Sequence, residues 1–387
     1  MYDYEMDPSG DAVITLWRST TPFAAWKAQS PCPERPDSFG LQPFGLKGKK
    51  KGKAYLDTGT EPVQTPEQDK GPEVAFVQFL VSSRHLTLAS PMMLAMLSGD
   101  WTEGSKDENG LFQIEARDWD EEAFAIVFNV VHGRNHRVPV AVSLELLTKI
   151  AVIVDYYNMH EAVRIAASVW VATARKCGLP NELNRDLALW LTIACVFKDA
   201  EIFKHTTSLS IIQSSHDLEF PDDLPIPSCV VDRIKEFRHD ALSAIVEGLQ
   251  KLREEYTTGQ KGCSFECTAI HLGVLIRTIH EVKLDGWSTE DITVQDLAQG
   301  LEAMQPPRWR DYSPYGEHSC PQDGSQVWSS AFNLSANNTS EFKDARVVGT
   351  LNRYAAQLMQ NVQAMGVLGG FGLSDFVELE MQDESRF

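Results

Sequence analysis

The chain has 387 residues, 43% of them hydrophobic, and this length suggests two or three domains that can each bury a core. Its 35 basic and 54 acidic residues give a net charge of -19, which argues against nucleic acid as the primary ligand, because such binding needs a basic surface. Seven widely spaced cysteines, with no signal peptide ahead of them, favour a reducing intracellular compartment, and no apolar run is long enough to cross a membrane. We therefore expect a cytoplasmic or nuclear protein.

The first predicted element is a strand at residues 12–17, and a low-complexity insertion follows it. Residues 28–72 hold seven prolines and six glycines among 45 residues, so they cannot bury enough surface to offset chain entropy, and we interpret them as flexible. A basic cluster lies inside this insertion and consists of Lys47, Lys49, Lys50, Lys51 and Lys53. Its composition is that of a nuclear-import signal or a phosphate contact, and also that of a solvated linker.

A strand that leads into a capped helix occupies residues 74–98. Val77, Phe79 and Val81 alternate with other side chains, which is typical of a half-buried strand. Residues 82–85 read as a polar turn, and the apolar residues after them as a short strand or turn. Ser90 is placed to N-cap a helix that has Pro91 at its first position. No catalytic group lies in this stretch.

The rest of the chain is mainly helical. A strand is predicted at residues 111–115, and helices are predicted after a cap within residues 118–120 and after the capping residues Ser143 and Asn184. The helix after Asn184 is expected to cover residues 185–203, and a strongly amphipathic helix to cover residues 231–252. Another helix opens at residues 263–267, and a last helix with an acidic tail is predicted within residues 341–387.

Two motifs and the order of the elements resemble a BTB/POZ domain. More narrowly, they are similar to the fungal BTB proteins that carry a low-complexity insertion after the first strand. The motifs are Val81-Ser-Ser-Arg-His-Leu-Thr-Leu-Ala-Ser-Pro91 and Val131-His-Gly-Arg-Asn-His-Arg-Val-Pro139, and the helix pairs close in Asp155-Tyr-Tyr-Asn-Met-His160. The resemblance covers about residues 7–171 and extends more loosely to about residue 320.

The expected fold is an α/β (α+β) BTB/POZ-like module, in which helical hairpins cover a small sheet, followed by a mainly α-helical C-terminal domain. The predicted organisation is a first strand part at residues 7–27, the insertion at 28–72, the module core at 73–175, the helical C-terminal domain at 181–330, and a final helix with an acidic tail at 341–387.

The resemblance implies a protein that binds other proteins. Such domains self-associate, so a homodimer is expected, and some dock a cullin scaffold as substrate adaptors of a ubiquitin ligase. Cullin-docking members carry a hydrophobic-x-Glu element after the capped helix, and Trp101-Thr102-Glu103 has this chemistry. The alternative is that Trp101 fills the core of the module while Glu103 is solvated. The chain has no kelch, ankyrin or comparable substrate-receptor repeat, which weakens the adaptor hypothesis.

One group of residues has metal-ligating chemistry. Cys263 and Cys267 open a predicted helix, and His318 and Cys320 follow about fifty residues later, a set that suits structural zinc. The spacing is irregular, and the two helix cysteines are also consistent with small buried apolar residues or with a disulfide formed on oxidation. A zinc-binding regulatory protein is therefore an alternative to the interaction module.

Enzyme signatures are absent from the sequence. There is no P-loop, no strand-linked dinucleotide fingerprint, no nucleophile elbow and no kinase motif set. We therefore predict a non-enzymatic intracellular adaptor or scaffold, with no cofactor unless zinc is bound, and with no membrane partner.

Overall fold

The computed structural model describes residues 2–18, 21–26, 76–99 and 101–303. Within these ranges the chain is an α+β protein with a four-stranded mixed sheet and ten α-helices. No helix in this part of the chain is long and apolar enough to cross a membrane. The lysine cluster at residues 47–53, His318, Cys320 and the final helix with its tail lie outside the described residues.

The sheet has the strand order β1-β3-β2-β4. Its strands are β1 (Tyr4–Glu5), β2 (Ala12–Trp17), β3 (Phe76–Val81) and β4 (Phe112–Arg117). β2 pairs antiparallel with β3 and parallel with β4, so that Ile14 lies opposite both Phe79 and Ile114. All three of these side chains are almost fully buried. The predicted strand at residues 12–17 is confirmed, and β1, which pairs parallel with β3, lies before the predicted start of the module.

Five α-helices belong to the N-terminal module. They are α1 (Ser83–Ala89), α2 (Pro91–Ser98), α3 (Glu121–Val131), α4 (Leu144–Tyr156) and α5 (His160–Ala174). The predicted caps are confirmed, because the side chains of Ser90, Asp120 and Ser143 accept hydrogen bonds from the backbone N–H groups three residues later. The prediction of a turn, and then a short strand or turn, before Ser90 is wrong, because α1 occupies these residues.

The C-terminal region contains the other five α-helices. They are α6 (Arg185–Phe197), α7 (Ala200–Gln213), α8 (Ser228–Thr257), α9 (Phe265–Glu281) and α10 (Val294–Glu302). Asn184 caps α6 as predicted, but the single helix expected over residues 185–203 is interrupted. Lys198 adopts a left-handed conformation with φ of 58°, and Asp199 caps a new helix by accepting hydrogen bonds from the N–H groups of Glu201 and Ile202.

The N-terminal module and the C-terminal helices share one hydrophobic core. Helix α4 packs on α6, and α6 packs on α7. The segment after β2 adds a second link, because the Arg185 guanidinium donates hydrogen bonds to the carbonyl oxygens of Phe23 and Ala24 at 3.0 Å. Ala24 is fully buried in a small cluster with Ala188 and Leu189. The chain that leads into the insertion is therefore attached to the helical region.

Candidate interaction surface

The α1–α2 hairpin is attached to the sheet by Asp11. The carboxylate of Asp11 accepts hydrogen bonds at 2.8 Å from both the backbone N–H and the hydroxyl of Ser83, the first residue of α1. The Lys106 ammonium pairs with the same carboxylate at 3.2 Å. Burial tends to raise the pKa of Asp11, but these hydrogen bonds outweigh it and hold the pKa below its usual value. Asp11 thus supplies the N-terminal cap that Ser82 does not provide.

Ser90 fixes the junction between the two helices of the hairpin. Its hydroxyl oxygen accepts the Met93 N–H at 3.0 Å, and its O–H donates to the carbonyl oxygen of Tyr157, just after α4. Ser90 is fully buried, so both contacts are shielded from water. The hairpin is therefore held at two points that lie outside it.

The outer face of the hairpin is apolar and exposed. Leu88 on α1 is 87% exposed and Leu94 on α2 is 49% exposed, while Met93 and Leu97 point inward and are buried. The fifteen residues 85–99 contain no Asp, Glu, Lys or Arg, although 23% of the chain is charged. Arg84, one turn before Leu88 on α1, is the one charged side chain of the hairpin and is exposed. A face with so little charge that presents large apolar side chains is typical of a protein-binding surface.

The turn that contains Trp101 and Glu103 lies beside this face. It includes a single 3₁₀ turn, Thr102–Gly104, that packs against α2 and β4. The Trp101 ring covers Gly99, where an added Cβ would lie 2.7 Å from the ring. Trp101 is 68% exposed, so the alternative that it fills the core of the module is wrong. The Glu103 carboxylate accepts a hydrogen bond from the Thr102 hydroxyl at 3.0 Å.

The two motifs that carry the BTB/POZ resemblance meet behind the hairpin. The ring of His132, from the second motif, lies 5.0 Å from the ring of His85, from the first. His132 Nε2 accepts the Ser82 N–H at 3.1 Å, which requires a neutral ring whose Nδ1–H donates to the Phe128 carbonyl at 2.8 Å. Burial lowers the pKa of His132, and so does the neighbouring His85.

The predicted zinc ligands fall only partly in the described residues. Cys263 is exposed and precedes Ser264, the N-cap of α9, while Cys267 is buried in the first turn of α9. Among the described residues, no group of three or more His, Cys, Asp or Glu side chains is placed to hold a metal ion. The hypothesis of a site completed by His318 and Cys320 stays a prediction.

Sequence reasoning missed several residues of this surface. Asp11 and His132 each contact Ser82 or Ser83 across 50 residues or more, so no local pattern indicates their roles. Leu88 and Leu94 have the same side-chain chemistry as core residues, and only their exposure distinguishes them. The absence of charged residues over residues 85–99 is visible in the sequence and could have indicated a surface that a partner covers.

Comparisons of the chain with models of protein families, with curated proteins and with solved structures give no match.

Proposed function

We propose that this chain is a non-enzymatic protein-interaction module of the BTB/POZ type that forms a homodimer through the α1–α2 face. The observation that carries the proposal is the exposed hairpin face, which has Leu88 and Leu94 at its surface and Arg84 as its one charged side chain. Covering such side chains removes apolar area from water, which contributes a favourable free energy of roughly 25 cal/mol per Å². A twofold-symmetric dimer places the same patch of both copies together and requires no other partner.

The order and pairing of the elements support the BTB/POZ assignment. β2 and β3 form an antiparallel pair across the insertion, a helical hairpin follows, β4 joins the sheet parallel to β2, and α4 and α5 pack as a second helical pair. The resemblance implies the same order of strand, insertion, strand, capped helix, strand and helix pairs, and α1 is the element that it did not include. A module that binds through its shape needs no catalytic group, and residues 74–98, which contain the hairpin, carry none.

Light scattering coupled to size exclusion tests the dimer. The unmodified chain should have twice the monomer mass at micromolar concentration, and Leu88→Glu and Leu94→Glu should each raise the dissociation constant at least about 100-fold, because two carboxylates would be buried without partners. Val140→Glu is a matched control, since Val140 is also exposed, at 74%, but lies outside the hairpin. A strict monomer, or equal effects of all three variants, would contradict the proposal.

A second candidate is a substrate adaptor of a cullin-type ubiquitin ligase. The exposure of Trp101 favours it, because an exposed aromatic side chain beside a carboxylate is the anchor that such docking requires. A pull-down with a cullin should recover the unmodified chain and much less of Trp101→Ala and Glu103→Ala. Tyr156→Ala is the control, since Tyr156 is another exposed aromatic residue, on α4. Equal recovery of all samples would exclude this contact.

A further inference from the structure

A groove of about 1160 Å³ runs between α5 and the junction of α6 with α7. Its floor is apolar, because it is lined by Ala167, Val171 and Val196, which are buried residues with only a small exposed area. Phe197, the last residue of α6, lies beside them and is partly buried. The groove is on the module's helical side and does not include any residue of the α1–α2 hairpin.

Most of the ionic groups that line the groove are already engaged. His160 lies 3.5 Å from the Asp155 carboxylate, and the Arg175 guanidinium pairs with Glu201. The Asp199 carboxylate accepts the first N–H groups of α7. Counted with His160 neutral, the four basic side chains of the lining (Arg164, Arg175, Lys176 and Lys198) exceed its three carboxylates (Asp155, Glu161 and Asp199) by one charge.

Three further cations line the groove without an ion pair to any described residue. They are Arg164 on α5, Lys176 in the 3₁₀ turn after α5, and Lys198 after α6, and all three are exposed. Glu161 is the single lining carboxylate that has no such engagement within the described ranges. In a chain with a net charge of -19, the lining of this groove carries a charge of +1, and its floor is apolar.

Helix α5 extends the apolar surface next to the groove. Ile165 is 79% exposed and Val169 is 42% exposed, and they lie one turn apart on the same helix face. Ile165 directly follows Arg164 in the chain and Val169 directly follows Ser168, and both Arg164 and Ser168 line the groove. A ligand that fits this region combines apolar side chains with negative charge.

The chain itself contains a segment of that composition at residues 373–387. The segment reads LSDFVELEMQDESRF and contains five acidic residues and one arginine. Phe376, Val377, Leu379 and Met381 alternate with or flank the carboxylates. Residue 303 is the last described residue, and the 69 residues 304–372 that connect it to this segment can reach any point of the molecule, since an extended chain spans up to about 3.3 Å per residue.

We propose that residues 373–387 bind in cis to the groove between α5 and the α6–α7 junction. The carboxylates pair with Arg164, Lys176 and Lys198, and the apolar side chains cover the floor and the Ile165–Val169 ridge. The lysine cluster at residues 47–53 also offers positive charge, but it contains no apolar side chain. Covalent connection in one chain raises the effective concentration of the segment at the groove.

Zero-length cross-linking with a carbodiimide tests this on the full chain, because the reagent joins only carboxylates and amines already in contact. Mass spectrometry should find Glu378, Glu380 or Asp383 joined to Lys176 and Lys198 about tenfold more often than to Lys235 and Lys251, a preference worth about 1.4 kcal/mol. Lys235 and Lys251 are exposed lysines on α8 and serve as internal controls.

A pair of variants and an isotope mixture complete the experiment. Ala172→Glu adds a carboxylate to the groove lining and should remove the preference, whereas Ala162→Glu makes the same change at an exposed position of α5 outside the groove and should not. In a mixture of light and heavy chains, cis binding gives cross-linked peptides with one label only. Mixed-label products, an even spread over all exposed lysines, a preference for residues 47–53, or no response to Ala172→Glu would each overturn the proposal.

Discussion

The α1–α2 hairpin and helix α8 each bury one face and expose the other, but their exposed faces have opposite chemistry. α8 buries Ile234, Ala241, Ile245, Leu249 and Leu252. Its outer face carries the charged residues Asp232, Lys235, Glu236, Asp240, Glu247 and Lys251. The outer face of the hairpin carries Leu88 and Leu94 and no charge between residues 85 and 99.

Under the proposed function, this difference separates a face that remains in water from one that a second copy of the chain covers. A solvated helix face gains from charges because they are fully hydrated and keep the surface soluble. Charges at a face that becomes buried cost free energy unless each finds a partner. The hairpin therefore has the composition of a surface that is covered in the working protein, and α8 has that of a permanent exterior.

The largest predicted effect on stability comes from Arg238, which makes buried hydrogen bonds in the helical region. The Arg238 guanidinium, on α8, is 5% exposed and donates to the carbonyl oxygens of Ser214, Thr289 and Ile292 at 2.7 to 3.1 Å. Arg238→Ala should lower the free energy of unfolding by about 3–5 kcal/mol, because three buried acceptors lose their donor. Chemical denaturation measures this.

The control for that change is Arg233→Ala on the same helix. Arg233 has 41% of its side chain exposed, pairs with Glu236 and lies 4.9 Å from the centre of the Phe237 ring, so its loss should change the free energy of unfolding by no more than about 1 kcal/mol. Equal effects of the two substitutions would mean that the Arg238 contacts do not form. Dimer mass should be unchanged in both variants, which separates the stability of the helical region from the function of the hairpin.

Ser90→Ala should have a smaller effect on stability but should weaken self-association. The substitution removes both the N-cap of α2 and the hydrogen bond to the Tyr157 carbonyl, at a cost of about 1–3 kcal/mol. Ser143→Ala, which removes a single cap on α4, should cost about 1 kcal/mol and leave the dimer intact. Unfolding and light scattering on both variants check this, and an unaltered dimer in Ser90→Ala would show that the anchor does not position the face.

The dependence of stability on pH should come from the module through His132. Its pKa is lowered by burial and by His85, while the Phe128 carbonyl acts in the opposite direction; Asp7 and Arg134 also face it and largely oppose each other in sign. The unfolded chain therefore binds the proton more readily, so the free energy of unfolding falls as pH drops below about 6.5. The contribution of His132 to that free energy is fully lost once the pH is below its folded-state pKa. A single group limits the slope to about 1.4 kcal/mol per pH unit.

Denaturation at several pH values between 7.5 and 5 measures that slope. His132→Gln retains an acceptor for the Ser82 N–H and cannot titrate, so it should flatten the profile. His216→Gln changes an exposed histidine beside Asp217 and should leave the profile as it is. A slope that survives His132→Gln would assign the pH dependence to other groups.

The smallest effect is expected from metal removal. The sequence-based expectation of no cofactor predicts that the purified chain contains no stoichiometric zinc and melts at the same temperature with and without a chelator. Elemental analysis and a thermal scan measure both quantities. Bound zinc with a lower melting temperature after chelation would instead support the site formed by Cys263, Cys267, His318 and Cys320.

The sequence was sufficient where a structure depends on residues three or four positions apart. Ser90, Asp120, Ser143 and Asn184 each cap the helix predicted for them, because the cap and its N–H partner lie within one turn. The strand at residues 12–17 followed from its apolar content. The break after α6 had a local signal as well, since Asp199 is a favourable N-cap residue, but the apolar pattern continued across it.

The tertiary structure alone decided the features that make the hairpin a candidate site. α1 was not predictable from its own residues, because its cap is the carboxylate of Asp11, 72 positions away in the chain. The contact between Ser82 and His132 likewise joins two motifs that the sequence shows only separately. Leu88 and Leu97 are the same residue type, yet one is 87% exposed and the other buried. The sequence determined which residues are apolar, whereas the packing of the hairpin on the sheet determined which of them remained in solvent, because exposure depends on neighbours that are distant along the chain.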